Sequence, residues 1–586
     1  MKLSINRNII WCDVFVERLS QLGVRHACIS PGSRNTPLII SFASNRGIMT
    51  HSIVDERSSA FFALGLARKT NSPVVIVTTS GTAVAEVYPA IIEAYYQRIP
   101  LIICTADRPP VLINTGANQT INQQNIYKNH IRFFADAGLP GINRLRFSKR
   151  LAEDAVKYSL FLDKGPVHIN FPFKKPFEPD SYTDKIEVAV IEKIFAESKF
   201  EIRPAKQIKI DFVSMARRLS MTKRGLILAG FNNYGDQFGR QLTGLAKKLG
   251  YPVYIDGASS LRFGKHSKEN IIENLSALVR SKNFVKEYDP EIIIQFGGAP
   301  TASVLLEFFK NSNAQKILVN EFGDRNDPSL TAKEIIAFNP SEFCEGLSGK
   351  LPALRDSAWI RDFRKMNSLC GQLKNKFMSN VPFPFEGRVA SQLFDIIPDR
   401  STVMISNSLP IRDVDFFASP NGRRINVFTN RGASGIDGIT STALGAAFTS
   451  PDPTYLLIGD LAFYHDLNAL HSAYKKKIPL SVLLINNSGG GIFESLPISE
   501  YRELMKDNFL TPLELNFSKL VKAFGGHFER IKSWNDFNFK IDSSVKKKKF
   551  TVLEIRTDAK KSKLLRQKYW NEVVKRIDEL IDEINN

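Results

Sequence analysis

Short runs of consecutive apolar residues recur along the chain, and each is followed by a turn rich in glycine or aspartate and then by a segment with helical periodicity. This rhythm is seen in VVIVTTSGTA (74–83), LIICTADRPP (101–110), EIIIQFGG (291–298), YLLIGDLAF (455–463) and LSVLLINNSGGG (480–491). Apolar strands without polar alternation are buried on both faces, as in parallel sheets covered by helices. The pattern predicts an α/β protein of three doubly wound parallel-sheet domains, which bind ligands at the carboxyl ends of their strands.

Two polar stretches interrupt this strand–turn–helix pattern and indicate where domains end. The chain becomes polar and proline-rich after residues 165–185, and a second polar stretch covers roughly residues 345–387. We therefore expect a first domain over residues 1–185, a central domain over 186–355 and a third domain over 356–586. The first and third domains show the same pattern of apolar runs, turns and helical segments. This similarity alone leaves open whether the two domains are structural repeats.

The net charge of +20 raises the question of an anionic partner. Nucleic acid or an anionic membrane surface would fit such a charge. The lysines are scattered, however, and the densest run, Lys546 to Lys549, lies in a predicted loop before a strand. Neither a basic stripe interleaved with aromatics nor a nucleic-acid-binding motif is visible. We interpret the charge as a solvated surface and expect no nucleic acid and no membrane as partners.

Cysteine usage and the lack of long apolar segments bear on the cellular compartment. The five cysteines are odd in number and widely spaced, without metal-ligand spacing. The first residues contain no long apolar segment of a signal peptide, and no run approaches the ~18 apolar residues of a membrane span. These features predict a reducing, cytoplasmic setting.

Polar residues follow two neighbouring apolar runs in the last third of the chain. Asp460 follows the first run, Asn487 ends the second, and Gly489 comes shortly after. A helical segment between the runs completes a β-α-β unit, which brings these residues to one edge of a sheet. Mg²⁺ prefers oxygen ligands and is usually held by one or two carboxylates together with phosphate oxygens. The Asp460 carboxylate, the Asn487 amide and the Gly489 carbonyl therefore predict a metal site beside a diphosphate.

The meaning of this set depends on its spacing, because each residue alone also fits a helix cap or a turn. Together the residues resemble the thiamine-diphosphate motif, in which a Gly-Asp-X triplet precedes an Asn-Asn pair. The third position, usually glycine, is Leu461 here, which leaves the metal ligands intact. A rival segment, residues 426–447, superficially matches a dinucleotide fingerprint, but its glycine spacing is wrong and no fitting acidic residue follows.

A glutamate in the first domain is the candidate for acid–base chemistry. The segment HSIVDERSSAFFALGLARKT (51–70) places Glu56 at a strand-to-helix junction. The helix dipole alone favours an acidic residue in a first turn. Thiamine-diphosphate chemistry also requires a carboxylate against N1′ of the pyrimidine ring, and a glutamate in an apolar pocket is suited to share a proton there. We predict that Glu56 is the catalytic residue.

Ten blocks in matching order resemble the 2-succinyl-5-enolpyruvyl-6-hydroxy-3-cyclohexene-1-carboxylate (SEPHCHC) synthase family of menaquinone biosynthesis. This resemblance is dense in the first and third domains and loose in the central one. The blocks are SPGSRNTPL (30–38), DERSSAFFALGLA (55–67), TSGTAVAEVYPAIIEA (79–94), TADRPP (105–110), GANQTINQ (116–123), GPVHIN (165–170), ISNSLPIRD (405–413), NRGASGIDG (430–438), GDLAFYHDLNAL (459–470) and NNSGGGIFESLP (486–497).

The resemblance implies an architecture and a reaction. The fold would be that of the thiamine-diphosphate-dependent decarboxylases, with pyrimidine-binding, central and diphosphate-binding domains. Thiamine diphosphate with Mg²⁺ or Mn²⁺ would be the cofactors. The chain would act as a homodimer or homotetramer, with each active site at a subunit interface. The reaction would join 2-oxoglutarate to isochorismate, with loss of carbon dioxide, by addition to a conjugated alkene.

The resemblance also carries residue roles onto this chain. Glu56 matches the activating glutamate, and Asp460, Asn487 and Gly489 match the metal ligands. The implied cofactor contacts are Gly81, Ser406, Asn407, Gly435, Ile436, Asp437, Gly459, Leu461, Ile492, Phe493 and Leu496. Ile436 would be the apolar wedge that bends the cofactor. The implied substrate contacts are Ser33, Arg34, Arg108, Asn118, Gln119, Ser408, Arg412 and Arg431.

The arginines have a chemical rationale of their own, because both implied substrates are multiply charged carboxylates. Arginine pairs with carboxylates in a bidentate manner and stays charged in partly dry sites. The family often has a basic residue after the central strand that matches EIIIQFGG, but residues 299–304 contain no Lys or Arg. Either Arg325 substitutes for it or this contact is missing.

Two other functions remain open at this stage. The first is another thiamine-diphosphate enzyme, related to acetohydroxyacid synthase or pyruvate decarboxylase, which would act on small, singly charged acids. The second is a non-catalytic binding module of the same fold, which fold alone does not exclude. The presence of Glu56, Asp460 and Asn487 argues against the second.

Overall fold

Three parallel β-sheets, each covered by helices, make up most of the chain. The computed structural model describes residues 2–161, 163–196, 209–232, 234–352 and 356–586. Most of the strands in the three sheets are buried along their length, as continuous apolar runs require when helices cover both faces. None of the helices in these described ranges is both long and apolar enough to cross a membrane.

The first sheet has the strand order β3-β2-β4-β5-β7-β6. Its strands are β2 (His26–Ile29), β3 (Met49–Ser52), β4 (Val74–Thr78), β5 (Leu101–Asp107), β6 (Phe133–Asp136) and β7 (Val167–Pro172). A separate antiparallel pair joins β1 (Lys2–Ile5) to β8 (Asp184–Glu187). The helices of this region are α1 (Arg7–Gln21), α2 (Thr36–Ser44), α3 (Glu56–Thr70), α4 (Thr82–Glu86), α5 (Tyr88–Gln97), α6 (Leu145–Leu160) and α7 (Val188–Phe195).

The central sheet has the order β10-β9-β11-β12-β13. Its strands are β9 (Gly225–Ala229), β10 (Val253–Ile255), β11 (Ile292–Phe296), β12 (Gln315–Asn320) and β13 (Ala332–Ala337). The helices here are α8 (Phe212–Met221), α9 (Asp236–Leu249), α10 (Leu275–Leu278), α11 (Lys282–Glu287), α12 (Ser303–Asn311), α13 (Pro340–Ser348) and α14 (Ala358–Asn380).

The third sheet has the order β15-β14-β16-β17-β19-β18. Its strands are β14 (Thr402–Ile405), β15 (Asn426–Phe428), β16 (Thr454–Gly459), β17 (Ser481–Asn486), β18 (His527–Arg530) and β19 (Thr551–Arg556). The helices are α15 (Glu386–Ile396), α16 (Leu409–Phe417), α17 (Ile439–Phe448), α18 (Asp460–His465), α19 (Ala469–Lys475), α20 (Arg502–Met505), α21 (Phe517–Ala523), α22 (Trp534–Lys546) and α23 (Ala559–Asn585).

The first and third sheets have the same topology. When the strands of each sheet are numbered along the chain, both follow the order 2-1-3-4-6-5, whereas the central sheet follows 2-1-3-4-5. All neighbours in the three sheets are parallel. The predicted fold class of three doubly wound parallel sheets is therefore confirmed, and the first and third sheets are structural repeats of one plan.

The polar stretch at residues 345–387, which indicated a domain boundary in the sequence, is helical over much of its length. Residues Ala358–Asn380 form α14, whose apolar face is buried. The stretch is polar because one face of this amphipathic helix is solvated. The two domain boundaries stay predictions, and the one at residue 355 lies outside the described residues.

By packing, the chain divides into two compact units, each described here by itself. The first contains Met1–Ala205, Asn430–Pro451 and Ala462–Leu480, and so includes the first sheet together with α17 and α19. The second contains Lys206–Thr429, Asp452–Leu461 and Ser481–Asn586, and so includes the central and third sheets. The five cysteines are all buried and unpaired.

Candidate active site

The carboxyl ends of β16 and β17 bring the predicted metal residues into one loop region. Asp460 begins α18 directly after β16, and its side chain is only 3% exposed. Its Oδ2 atom accepts a hydrogen bond from the Gly489 amide at 2.8 Å, and its Oδ1 atom accepts one from the Leu461 amide at 2.9 Å. Burial raises the pKa of Asp460 to about 6, although these backbone hydrogen bonds oppose the shift.

Asn487, two residues before Gly489, carries a buried oxygen without a partner. Its Oδ1 atom makes no hydrogen bond to any described residue. A buried polar oxygen without a partner is uncommon and requires an explanation, such as an ion. Within the described residues no group of three or more His, Cys, Asp and Glu side chains could hold a metal. A cation here would instead use one carboxylate with amide and carbonyl oxygens, which suits Mg²⁺.

The backbone of this loop tolerates only glycine at one position. Gly489 has φ +122, and a Cβ atom on it would lie 1.9 Å from the Leu510 carbonyl oxygen. The following turn, Gly491–Ser495, carries Ile492 and Phe493, which are half-buried, and leads to Leu496, which is exposed. The Phe493 ring packs against Phe509 with ring centroids 5.3 Å apart. These apolar side chains therefore follow directly after the predicted metal ligands.

The end of β14 contributes a second loop to the same unit. Ser406 and Asn407 are buried, and the Ser406 hydroxyl makes no hydrogen bond to a described residue. Ser408 has a positive φ of 72 and precedes the first residue of α16. Arg412 lies one turn further, and its Nη1 atom donates to the Ser408 carbonyl oxygen at 2.6 Å. Strained backbone of this kind is concentrated at binding sites.

Glu56 is the first residue of α3, in the unit that contains the first sheet. Asp55 caps this helix by accepting a hydrogen bond from the Ser58 amide at 2.8 Å. Glu56 is half-buried, and its pKa is raised, mainly by burial and further by the negative charges of Asp55 and Glu86. A half-buried carboxylate with a raised pKa at a helix start is suited to exchanging a proton.

The loop over residues 430–438 packs on α3 in the same unit. Arg431, Gly435, Ile436 and Asp437 are half-buried in this loop. A Cβ atom on Gly438, which precedes α17, would lie 1.9 Å from the Phe61 ring of α3. The loop that contains Ile436, the predicted apolar wedge, therefore lies close to the helix that begins at Glu56.

Arg34 and Arg108 follow the ends of β2 and β5. Arg34 is 6% exposed, and its Nη1 atom donates to the Phe173 carbonyl at 2.8 Å, while its Nε atom is buried without a hydrogen bond to a described residue. The Nε atom of Arg108 donates to the Asn118 carbonyl at 3.0 Å. Ser33, Asn118 and Gln119 are exposed.

Sequence reasoning missed Gln123, a buried polar residue beside Gly81. Gly81 has φ +87 and directly precedes α4. The Nε2 atom of Gln123 donates to the Asn170 Oδ1 atom at 2.8 Å and to the Ala106 carbonyl at 2.9 Å. Its Oε1 atom accepts from the Gly81 amide at 3.4 Å. Gln123 thus joins the turn at Gly81 to β5 and β7, and its place in the block GANQTINQ was the available signal. Arg325, the predicted substitute in the central domain, is exposed in the loop after β12.

The predicted residues fall into two groups by compact unit. The unit with the first sheet contains Ser33, Arg34, Glu56, Gly81, Arg108, Asn118, Gln119, Arg431, Gly435, Ile436 and Asp437. The unit with the central and third sheets contains Ser406, Asn407, Ser408, Arg412, Gly459, Asp460, Leu461, Asn487, Gly489, Ile492, Phe493 and Leu496. In both groups the residues follow the carboxyl ends of strands, where doubly wound sheets bind ligands.

Three family models match successive parts of the chain. They are the N-terminal thiamine-pyrophosphate-binding domain of thiamine-pyrophosphate enzymes (residues 11–126), the middle domain (203–405) and the C-terminal thiamine-pyrophosphate-binding domain (420–555). The thiamine diphosphate-dependent 4-hydroxybenzoylformate decarboxylase of Rhodococcus jostii has the same fold, with a TM-score of 0.69, 16% identity, and 94% of this chain and 99% of that chain covered.

Curated relatives are similar over nearly the whole length. A SEPHCHC synthase of Bacillus cytotoxicus is 36% identical and covers 97% of both chains. That of Geobacillus kaustophilus is 35% identical over 98% of this chain and 99% of the relative, and that of Haloarcula marismortui is 36% identical over 97% and 98%. The chain therefore belongs to the family of 2-succinyl-5-enolpyruvyl-6-hydroxy-3-cyclohexene-1-carboxylate synthases, within the thiamine-pyrophosphate enzymes.

Proposed function

We propose that this protein decarboxylates 2-oxoglutarate and adds the resulting four-carbon unit to isochorismate, as a SEPHCHC synthase of menaquinone biosynthesis. The observation that carries the proposal is the buried Asp460 carboxylate, bonded to the Gly489 amide and two residues from the unsatisfied Asn487 oxygen. Those oxygens are the type that a Mg²⁺-bound diphosphate needs. Membership of the SEPHCHC synthase family indicates the two substrates, 2-oxoglutarate and isochorismate.

Thiamine diphosphate, when bound, supplies the carbanion chemistry, and the protein residues bind and orient it. Asp460, Asn487 and the Gly489 carbonyl would hold Mg²⁺ or Mn²⁺, and so the diphosphate. Backbone and side-chain groups near Ser406 and Gly459 would hold the same end. Ile492, Phe493 and Leu496 would provide an apolar surface, and Ile436 the wedge that sets the bend of the bound cofactor.

Glu56 would hold a proton at N1′ of the pyrimidine ring. Because its pKa is raised, mainly by burial, its protonated form is more accessible than that of an exposed glutamate. A group poised in this way can share a proton with a ring nitrogen during each turnover. A fully exposed glutamate would remain ionised and would share the proton less effectively.

The arginines at the strand ends would bind the carboxylates of the two substrates. The Nε atom of Arg34 is a buried donor without a hydrogen bond to a described residue, so a ligand oxygen would satisfy it. Arg108, Arg412 and Arg431 are half-buried, which strengthens their attraction for an anion relative to a fully exposed site. Ser33, Asn118, Gln119 and Ser408 would add hydrogen bonds.

We also propose that the chain works in the cytoplasm as a homodimer or homotetramer, with Glu56 of one subunit and Asp460 of another in each active site. The three domain ranges 1–185, 186–355 and 356–586 belong to this proposal. It is tested by mixing inactive Glu56→Gln and Asp460→Asn proteins and allowing subunits to exchange. Regained activity indicates shared sites, because a mixed dimer then has one intact site. No regain, with exchange verified, contradicts them.

The reaction is tested by carbon dioxide release from 2-oxoglutarate with thiamine diphosphate and Mg²⁺, with and without isochorismate. We expect release that accelerates strongly when isochorismate is present and that requires both cofactors. Turnover of pyruvate in place of 2-oxoglutarate would assign the chain to another thiamine-diphosphate activity. No release from either acid would refute an enzymatic function of this class.

A further inference from the structure

Glu93 is a buried carboxylate that is not among the predicted catalytic, metal, cofactor or substrate contacts. It projects from α5 and is only 2% exposed. Its Oε1 atom accepts a hydrogen bond from the Gly432 amide at 2.7 Å, and its Oε2 atom accepts one from the Ala433 amide at 2.7 Å. Both donors belong to the 430–438 loop, between Arg431 and Ile436. A single side chain therefore holds two consecutive peptide groups of that loop.

The surroundings of Glu93 keep it in position as an acceptor. Gln97, one turn later on α5, donates its Nε2–H to the Oε1 atom. Burial raises the pKa of Glu93, and the hydrogen bonds and the nearby Arg68 guanidinium act in the opposite direction. Hydrogen bonds to an ionised acceptor are stronger than those between neutral groups. The carboxylate thus accepts hydrogen bonds from three donors and is attracted by the half-buried Arg68 guanidinium.

The loop also lies against the backbone of α5. A Cβ atom on Gly432 would lie 2.7 Å from the Glu93 carbonyl oxygen and 3.1 Å from the Tyr96 Cβ atom. The first of these distances is too short for any side chain at position 432, and the obstacle is backbone that a rotamer change does not remove. Steric fit and hydrogen bonding therefore specify the same position for the loop.

We propose that Glu93 is a positioning residue that holds the 430–438 loop, so that Arg431 faces substrate and Ile436 faces the cofactor. This proposal rests on the roles proposed for Arg431 and Ile436, but the contact between α5 and the loop does not depend on them. Without the carboxylate, two adjacent amides lose their acceptor and the loop loses its attachment to α5. The ends of the loop then occupy a wider range of positions.

The first test is amide hydrogen exchange, measured by mass spectrometry on full-length protein loaded with thiamine diphosphate and Mg²⁺. In Glu93→Gln the new amide group turns a donor toward one of the two backbone amides. We expect peptides over 430–438 to exchange about tenfold faster or more, while peptides from β4 and β5 stay unchanged. Glu192→Gln, which removes an exposed carboxylate in the same unit, is the matched control and should leave exchange unchanged.

Gly432→Ala provides an independent variant. It keeps the Glu93 side chain, but its new methyl group would collide with the α5 backbone and displace the loop. Both variants should raise the KM for 2-oxoglutarate or isochorismate by about tenfold or more, with a smaller change in kcat. Exchange over 430–438 equal to wild type in both variants would overturn the proposal, as would a fall in kcat with unchanged KM. Hydrogen exchange is measured without substrate and so does not depend on activity. If the wild-type protein were inactive, the proposed function would be refuted, but the exchange result for Glu93 would still stand.

Discussion

Two carboxylates with predicted roles, Glu56 and Asp460, differ in the groups that surround them. Asp460 accepts backbone hydrogen bonds from Leu461 and Gly489, which hold both of its oxygens in place. Glu56 is less buried and has further carboxylates, Asp55 and Glu86, close enough to raise its pKa. A fixed, hydrogen-bonded carboxylate suits a metal ligand, whereas a carboxylate near other negative charges suits proton transfer.

Glu56→Gln is expected to keep cofactor binding and to lose most turnover. The amide preserves the size of the side chain but does not take up or release a proton. We expect the rate of carbon dioxide release to fall by about 10²- to 10⁴-fold, with the affinity for thiamine diphosphate, measured by calorimetry, nearly unchanged. Glu192→Gln serves as the control. Turnover close to wild type would remove Glu56 from its assigned role.

Asn487→Leu is expected to weaken metal-dependent binding of thiamine diphosphate. Leucine has a similar volume but removes the buried oxygen that has no hydrogen-bond partner in the structure. The Mg²⁺ concentration needed for half-maximal cofactor binding should rise about tenfold or more, since even indirect partners of a metal contribute that much. Asn380→Leu, at the exposed end of α14, is the comparison. An unchanged Mg²⁺ requirement in Asn487→Leu would exclude the amide as a ligand.

At the scale of elements, α3 and α17 approach each other through a reciprocal pair of glycines. A Cβ atom on Gly65 would lie 2.0 Å from the Thr442 carbonyl oxygen, and one on Gly445 would lie 2.1 Å from the Phe62 carbonyl oxygen. In helices, glycine costs about 1 kcal/mol relative to alanine, so its presence at both crossing points reflects close backbone contact. The packing places the helix that begins at Glu56 beside the helix that follows the 430–438 loop.

Gly65→Ala is expected to lower the free energy of unfolding by about 1–3 kcal/mol, because a methyl group would press on backbone atoms of α17. The matched control is Gly371→Ala in α14, where nothing lies within 4 Å of the new Cβ atom. That change should be neutral or stabilising by up to about 1 kcal/mol. Thermal unfolding of the two variants measures the difference. Equal stability would mean that the two helices separate at little cost.

At the scale of the molecule, buried ionic contacts connect the central sheet to the third sheet inside one compact unit. Arg262, which is 0% exposed, follows β10 and donates to the Asp415 Oδ1 atom at 3.0 Å and to the Asp415 carbonyl at 2.7 Å. Asp415 also accepts from the Tyr254 hydroxyl at 2.6 Å. A buried pair of this kind stabilises little in net terms, but losing one partner leaves a buried charge uncompensated. These contacts hold α16, and with it Arg412, in place.

The protein is expected to lose stability as the pH falls from about 6.5, because His51 and His168 are buried in neutral form. Burial lowers the pKa of each to about 3 from an ordinary 6.5. Below pH 6.5 the unfolded chain binds protons that the folded protein excludes, so the free energy of unfolding falls until the pH nears 3. Each histidine would contribute on the order of a few kcal/mol.

His168→Gln isolates one of these contributions. The His168 Nε2 atom lies 2.7 Å from the Thr105 hydroxyl, a contact that an amide can replace. Urea unfolding between pH 7 and 4 should show a shallower decline for His168→Gln than for wild type. His471→Gln, a change at an exposed position, should follow the wild-type curve. Parallel curves for all three proteins would exclude His168 as a cause of acid sensitivity.

Sequence alone was sufficient for several of the buried strands, for the fold class and for the family. A short, continuous apolar run is typical of a parallel strand that is covered by helices on both faces. The pattern therefore predicted β4, β5, β11, β16 and β17. The position of Asp460 after one such strand followed from the same logic. Local chemistry also specified these residues, since a cation beside a diphosphate requires oxygen ligands and close backbone approach.

Only the tertiary structure decided features that depend on residues far apart in the chain. Glu93 is read in sequence as an ordinary helix residue, and its bonds to Gly432 and Ala433 span more than half of the chain. Similarly, the polar composition of residues 345–387 did not show which face of α14 is buried. A sequence pattern shows which face of a helix or strand is apolar, because it depends on residues close together in the chain. A carboxylate can be buried only where hydrogen-bond donors are available, and here the donors come from backbone that is far away in the sequence.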